Sequence, residues 1–276
     1  MSLSMAVDDG RLGPAFEDLQ KTVHVEGKRT TAERQAFEAF GHRVRRLASA
    51  VEQPSRTTAG GDTVAGYSAS VDPFQTDQTV NSTTKATVRN AYDETVMSVA
   101  HYETEYGDAY EESVRAEFGQ EIAAALTRSG WFSPVTMQAL VGKVEQAIDD
   151  RRRLEETVEQ ELASLDIAAE RLQAIDEERR QIENSGLEDE RFGALDAYRT
   201  RLELLSEKCD WLAETRQSTI NDHRDAYSVD GDPDGFFTYL YQSYETDHPV
   251  LYLCSDVGQA VESAHDRVVR AILENW

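Results

Sequence analysis

The chain has 276 residues, of which 39% are hydrophobic, and its net charge is −24 because 52 acidic residues outnumber 28 basic ones. A chain of this length can form one large domain or two small ones. Its mean hydropathy of −0.58 favours long helices with narrow apolar stripes over a globule with a thick core. The negative charge argues against nucleic-acid binding, which needs a basic surface.

The basic residues are nearly all arginine, since only five of them are lysine. An acidic, lysine-poor surface suits a salt-loaded cytoplasm, because at about 1 M salt the Debye length of about 3 Å screens the repulsion between carboxylates. An ordinary acidic protein is the alternative. No apolar run reaches the roughly 18–20 residues that cross a bilayer, and the start of the chain lacks the pattern of a signal peptide. We therefore expect a cytoplasmic protein that binds neither a membrane nor nucleic acid.

The first predicted element is a long amphipathic helix over residues 14–52. Pro14 suits a first helical turn, and apolar residues follow it at spacings of three and four. The centre of this helix is polar and contains Gly27, which predicts a weak middle. Residues 53–84 are rich in Thr, Ser, Gly and Asp and show no sustained period, so they predict a flexible linker.

Residues 85–132 predict the first part of a small helical head. A first helix there breaks near His101, and a second begins around Gly107 and ends before the turn residues Ser129 and Gly130. The final segment, residues 227–276, predicts the second part of the same head. It contains a turn, a short aromatic-rich helix and a last helix with apolar residues at helical spacing.

Residues 133–226 lie between these parts and predict a long antiparallel coiled-coil hairpin with a turn near 184–187. From 137 to 182 a heptad seam has 11 apolar residues at its 14 positions, against eight among the other 32 residues. Three seam positions are charged: Arg151, Glu161 and Arg179. Charges in a seam cost stability but can fix its register. The predicted fold is therefore all-α, with a coiled-coil hairpin, a small helical head and an additional N-terminal helix.

Two patterns match parts of known metal sites. Asp230, Asp232 and Asp234 match the start of a calcium loop, but the twelfth position is Tyr241 where such a loop needs a bidentate glutamate. An acidic turn that caps the next helix explains these residues equally well. The calcium loop is therefore incomplete in this sequence.

The second pattern is a Glu-x-x-His pair, which occurs at Glu262–His265 and at Glu245–His248. Such pairs hold di-metal centres in helical bundles when two further glutamates complete the site. In a chain this acidic they also arise by chance, and Pro249 disfavours helix at the second pair. We expect no metal and no cofactor, and we assign no catalytic residue. Cys209 and Cys254 lie among apolar residues, which predicts buried free thiols.

The segment around residues 92–106 resembles a family of uncharacterised haloarchaeal proteins that is a domain of unknown function. In that family a Tyr-x-Glu-Thr-Val-Met core is followed by His-Tyr-Glu and Glu-Tyr. The matching residues are Tyr92, Glu94, Thr95, Val96, Met97, His101, Tyr102, Glu103, Glu105 and Tyr106. The chain departs from the pattern at Ala100, where proline is expected. The resemblance covers most of the chain apart from the linker and implies a haloarchaeal source and a helical fold with a coiled coil. It implies no activity and no catalytic residues.

Two functional hypotheses follow from these patterns. The first is a non-enzymatic scaffold or interaction module, which binds a protein partner or a second copy of itself through the coiled coil. The second is a small-molecule- or metal-binding regulator or enzyme with a pocket in the head, lined by Tyr92, His101, Tyr102, Tyr106 and the aromatic residues of 236–244. The alternative role of these four residues is a structural corner. A cavity with converging His, Tyr and Glu groups would favour the second hypothesis, and a closed head the first.

Overall fold

The computed structural model describes residues 10, 12–52, 73–128, 132–226 and 235–274. Every regular element in these residues is helical, which confirms the all-α prediction. The helices are α1 (Leu12–Glu52), α2 (Pro73–Asp93), α3 (Tyr102–Glu105), α4 (Tyr110–Phe118), α5 (Gln120–Thr127), α6 (Pro134–Glu183), α7 (Phe192–Ala226), α8 (Gly235–Leu240) and α9 (Pro249–Glu274). Among them, none has a stretch apolar and long enough to cross a membrane.

The helices form two compact units. Among the described residues, unit 1 combines those up to Lys28 with those from Arg153 onward, and unit 2 contains those from Arg29 to Arg152. The sequence analysis places 85–132 and 227–276 in one head, whereas the structure has the described residues of the first segment in unit 2 and those of the second in unit 1. The reason is that α9 packs along α7. Its apolar stripe is buried from Pro249 to Val268 and needs cover from another long helix.

Helices α6 and α7 run antiparallel within unit 1. Near the turn, Arg201 Nη2 on α7 lies 2.9 Å from Glu178 Oε2 on α6. Farther from the turn, Arg216 on α7 meets Glu161 on α6. With increasing distance from the turn, the residue numbers on α7 rise from 201 to 216 while those of their partners on α6 fall from 178 to 161, as in an antiparallel hairpin. The turn includes a short 3-10 segment, Leu187–Asp189.

Helix α1 continues through Gly27 without a break, although the polar centre predicts a weak point there. A Cβ atom added to Gly27 would lie 3.2 Å from Cγ1 of Val158 on α6. Glycine therefore allows the two helices to approach closely, at the cost of its low helix propensity. The core of unit 1 also includes Phe16 and Leu19 from α1.

Helix α2 begins at Pro73, inside the segment 53–84 that the sequence assigns to a flexible linker. Proline is favourable at the first helical position, where its missing N–H removes no hydrogen bond. The Thr, Ser and Asn residues that follow have modest helix propensity, so the composition conceals this helix. Residues 53–72 of the predicted linker lie outside the described part of the chain.

The segment between α2 and α4 is a compact corner in unit 2. The first helix ends at Asp93, turns follow, and α3 is a single helical turn. Gly107 has φ of +58°, a left-handed conformation that glycine adopts easily, and it ends α3 before α4 begins at Tyr110. The next long helix, α6, starts as the sequence predicts, because Ser133 Oγ accepts the backbone N–H of Thr136 at 3.0 Å.

Candidate functional site

Unit 2 contains a cavity of about 70 Å³ beside α3. Such a volume can hold a few water molecules or a ligand of a few heavy atoms, and it is far below the roughly 300 Å³ at which pockets for drug-sized ligands begin. Most of its polar lining comes from Glu33, His101, Tyr102, Tyr106, Glu117 and Arg151. The side chains of His, Tyr and Glu residues therefore converge on one cavity.

Arg151 occupies the centre of the charged lining. Its Nε donates to Glu33 Oε2 at 3.1 Å, and its Nη1 and Nη2 donate to Glu117 at 3.2 and 2.6 Å. Its guanidinium carbon lies 4.0 Å from the centre of the Phe37 ring. Burial opposes the charged form of Arg151, but the Glu117 and Glu33 carboxylates outweigh burial and raise its pKa. Arg151, a charged position of the predicted heptad seam, is therefore paired with carboxylates from two other helices, Glu33 on α1 and Glu117 on α4.

Glu33 lies on α1, and its second carboxylate oxygen binds the corner between α2 and α4. Glu33 Oε1 accepts hydrogen bonds from His101 Nε2 and from the Tyr106 hydroxyl, both at 2.9 Å. His101 directly precedes α3 and Tyr106 directly follows it, so this single helical turn brings both side chains to the same carboxylate. The structure therefore places two of the four predicted residues on one acceptor.

Tyr102 lines the same cavity but has a different environment. Its side chain is 5% exposed, and its buried hydroxyl has no hydrogen-bond partner among the described residues. Burial raises the pKa of Tyr102, and the neighbouring Ser113 hydroxyl, which lies 2.8 Å from the Tyr92 hydroxyl, opposes the rise. A buried hydroxyl without a partner costs about 1–3 kcal/mol, which calls for an explanation.

Tyr92, the fourth predicted residue, belongs to the core. Its hydroxyl lies 2.8 Å from Ser113 Oγ, and its ring packs edge-on against Phe40 and Phe118 with centroids 5.2 and 5.8 Å away. Burial raises the pKa of Tyr92 strongly. Tyr92 therefore supports the wall of the corner, and His101, Tyr102 and Tyr106 face the cavity.

Unit 1 contains a second polar cluster, which is fully enclosed. Glu161 on α6 is 0% exposed, and both of its oxygens accept hydrogen bonds from Arg216 on α7, at 2.6 and 2.8 Å. The Tyr241 hydroxyl donates to Glu161 as well, and Arg216 also reaches Ser164 Oγ at 2.9 Å. Burial opposes the charged form of Arg216, but Glu161 raises its pKa overall. This cluster is a buried ion pair with its hydrogen bonds largely satisfied.

His223 lies at the edge of that buried cluster. Its Nδ1 is 3.6 Å from Glu161 Oε2 and has no hydrogen-bond partner among the described residues. Its ring stacks on Phe237 with centroids 5.6 Å apart. Burial lowers the pKa of His223 below 6.5, and the positive charge of Arg216 adds to this effect, while Glu161 opposes it. His223 is therefore held in its neutral form.

The neutral state of His223 predicts a pH-dependent loss of stability. Above the unfolded pKa of 6.5 the residue is neutral in both states. As the pH falls below that value, the unfolded chain binds a proton before the folded chain does, so the free energy of unfolding decreases. In urea unfolding between about pH 5 and 8, His223→Gln should lose stability less steeply than the wild type. His24→Gln, on the exposed surface, should follow the wild-type slope, and parallel curves for all three proteins would contradict the prediction.

The predicted metal residues do not assemble in the described part of the chain. No group of three potential metal-ligating side chains is found there. Glu262 is exposed, and His265 Nε2 lies 3.6 Å from Glu203 Oε1. The other pair, Glu245–His248, lies in the loop before α9. Asp230, Asp232 and Asp234 lie outside the described residues.

The two cysteines are buried and free, as the sequence predicts. Cys209 lies on α7 and Cys254 on α9, and both belong to the core of unit 1. Burial raises their pKa to about 12 and about 11, so both are thiols at neutral pH.

Several residues of the two polar clusters escape the sequence analysis. They are Glu33 and Glu117 in unit 2, and Arg216 and His223 in unit 1. The predicted pocket residues of 236–244 lie in unit 1 and do not line the cavity of unit 2, and one of them, Tyr241, belongs to the Glu161 cluster. The charged seam positions Arg151 and Glu161 are the available signal, because a buried charge needs a partner of opposite sign. The sequence does not show which of its many acidic and basic residues supplies that partner.

Comparison with known proteins gives a family and nothing more specific. The family model described as Domain of unknown function (DUF7260) matches residues 15–265. Neither the curated proteins nor the solved structures contain a match to this chain.

Proposed function

Since the chain belongs to this family of unknown function, we propose a function from its own geometry: it binds a small polar ligand in the cavity of unit 2. Binding takes place without chemical turnover, in the cytoplasm of a salt-loaded cell. The observation that carries the proposal is the convergence of Glu33, His101, Tyr102 and Tyr106 on one cavity, where the buried Tyr102 hydroxyl makes no hydrogen bond to any residue that the structure describes. Such a hydroxyl is a ready hydrogen-bonding group for a ligand.

Binding is favoured over catalysis because the reactive groups around the cavity are already engaged. Arg151 is bonded to two carboxylates, and Glu33 accepts three hydrogen bonds. A general base or nucleophile has to be available to a substrate atom. These groups instead give the cavity a fixed shape and charge, which is what selective binding requires.

Methyl NMR on the full chain tests this proposal. Val96, Val99 and Ala116 line the cavity, so their methyl signals report directly on its occupancy. Polar compounds of up to about six heavy atoms are added singly to protein with labelled valine and alanine methyl groups. We expect at least one compound to shift all three residues at millimolar concentration. A library that leaves these signals unchanged contradicts the proposal.

A matched pair of variants assigns the shifts to the cavity. Ala116 is exposed at the cavity lining, so Ala116→Leu should fold normally and obstruct the ligand. Ala163→Leu makes the same change at an exposed position on α6 in unit 1. The first variant should bind at least about tenfold more weakly and the second should bind like the wild type.

A second candidate function is self-association through the hairpin. The outward face of α6 and α7 exposes three large apolar side chains, Ile167, Leu204 and Trp211. Leu204 and Trp211 are two helical turns apart on α7, and Arg171, one turn from Ile167 on α6, lies over the Trp211 ring at 4.4 Å. The three side chains therefore share one face, which a second copy could cover.

The net charge of −24 makes this self-association dependent on salt, because copies repel one another until the charges are screened. Sedimentation at about 0.1 M and about 2 M salt should show dimers only at the higher value. Trp211→Ser should weaken the dimer at least about tenfold. Val135→Ser, at an exposed valine in unit 2, is the control. A monomer at both salt concentrations would exclude this candidate.

A further inference from the structure

The charge of the unit 2 cavity identifies the kind of ligand that it takes. Three carboxylates line it, those of Glu33, Asp108 and Glu117, against the single guanidinium of Arg151. Because Arg151 is shared between Glu33 and Glu117, it offers no free face to an anion. The excess negative charge acts over a short distance in partly buried surroundings, where water screens it weakly. The cavity therefore favours a cation over an anion.

The shape and chemistry of the walls narrow the class of cation. The rings of Tyr102 and Tyr106 pack against each other with centroids 5.6 Å apart, and both residues line the cavity. Val96 and Val99 offer an apolar wall that a bare ion would not use. No described group of three ligating side chains is present for a metal ion. Resting on the proposed function, we propose that the ligand is a small protonated amine with a short alkyl group.

The bound amine uses the group that the protein leaves unsatisfied. Its N–H donates to the Tyr102 hydroxyl oxygen, which lies in the buried wall and has no partner among the described residues. Its charge faces the Asp108 carboxylate, and its alkyl group contacts Val96 and Val99. Among these contacts, the hydrogen bond to the buried Tyr102 hydroxyl contributes most, because that hydroxyl otherwise remains unsatisfied.

Ethylammonium, ethanol and acetate are similar in size and differ in charge, so they test the ligand class directly. Each is titrated into the full chain at about neutral pH and about 0.1 M salt, with the methyl signals of Val96, Val99 and Ala116 as readout. We expect ethylammonium to shift these signals with a dissociation constant at least about tenfold lower than that of ethanol or acetate. Equal or tighter binding of ethanol or acetate overturns the amine inference and leaves the proposed function standing. If none of the three compounds binds and no compound of the wider library binds, both the amine inference and the proposed function are overturned.

Two variants locate the amine within the cavity. Tyr102→Phe should weaken ethylammonium binding about tenfold or more, because it removes a hydrogen bond to a charged group. Its melting temperature without ligand should be equal to or higher than that of the wild type, since the deleted hydroxyl makes no hydrogen bond within the described part of the chain. A purely structural role of the hydroxyl would lower the melting temperature and leave the affinity unchanged, which overturns the inference.

Asp108→Asn removes one negative charge from the cavity and should also weaken ethylammonium binding, while leaving ethanol unaffected. Glu121→Gln removes the same charge from an exposed position on α5 and is the matched control. The control should stay within about twofold of the wild type, because a distant surface charge is screened. Equal losses in both variants would show that only the net charge of the chain matters, and the inference would fail.

Discussion

Replacing Glu161 by leucine should lower the free energy of unfolding by about 3–5 kcal/mol, because it leaves Arg216 buried with no opposite charge. Arg216 is 2% exposed and bonds both oxygens of Glu161, so water cannot take the place of the lost partner. Chemical unfolding followed by circular dichroism measures the loss. Among single substitutions in unit 1, this one should be among the most damaging.

The double variant separates the charge from the packing. Glu161→Leu combined with Arg216→Met removes both charges, and it should recover most of the stability lost in the single variant. Tyr241 then lacks an acceptor for its hydroxyl, so adding Tyr241→Phe should return a further 1–3 kcal/mol, roughly. Additive losses in the double variant would show that the pair is not coupled, contrary to the geometry.

Tyr92→Ala should destabilise the protein by about 3–5 kcal/mol, the range for large aromatic side chains deleted from a core. Tyr92 is fully buried, and rings surround it: Phe37, Phe40, Tyr110 and Phe118, with centroids 5.2 to 6.5 Å away. Tyr92→Phe keeps the ring and loses only the hydrogen bond to Ser113, so it should cost about 1 kcal/mol.

Tyr106→Ala is the contrasting change in the same segment, residues 92–106. Tyr106 is 49% exposed, and its hydroxyl bonds Glu33 at the surface of the corner. Its loss should cost no more than about 1.5 kcal/mol. Comparable costs for Tyr92→Ala and Tyr106→Ala would contradict the division of this segment into a core residue and cavity residues.

The helical architecture is readable from the sequence because its signals are local. Pro14, Ser133 and Pro134 have strong positional preferences at helix starts, and the heptad seam is a property of one continuous segment. The antiparallel turn follows from the short interruption between two such segments. Low helix propensity also explains why the sequence predicts a linker at 73–84, where polar residues of modest propensity form part of α2.

The grouping of helices into units is not readable, because it depends on which apolar stripes meet. The stripe of α9 is evident in the sequence, but the sequence does not show that α7 covers it. The candidate site divides in the same way. The segment 92–106 identifies His101, Tyr102 and Tyr106 as residues of interest. The hydrogen bonds of His101 and Tyr106 to Glu33 are not readable, because they join positions 68 and 73 residues apart.

The buried thiols have a consequence for how the protein responds to reagents in solution. Cys209 lies on α7 and Cys254 on α9, the two helices that pack along each other. Burial raises the pKa of Cys209 to about 12 and that of Cys254 to about 11. Alkylating agents and mild oxidants react with exposed thiolate, so the folded chain resists them. Modification then proceeds only through molecules in which α9 has separated from α7. The rate at which these cysteines are labelled therefore measures the fraction of molecules in which this part of unit 1 is locally unfolded.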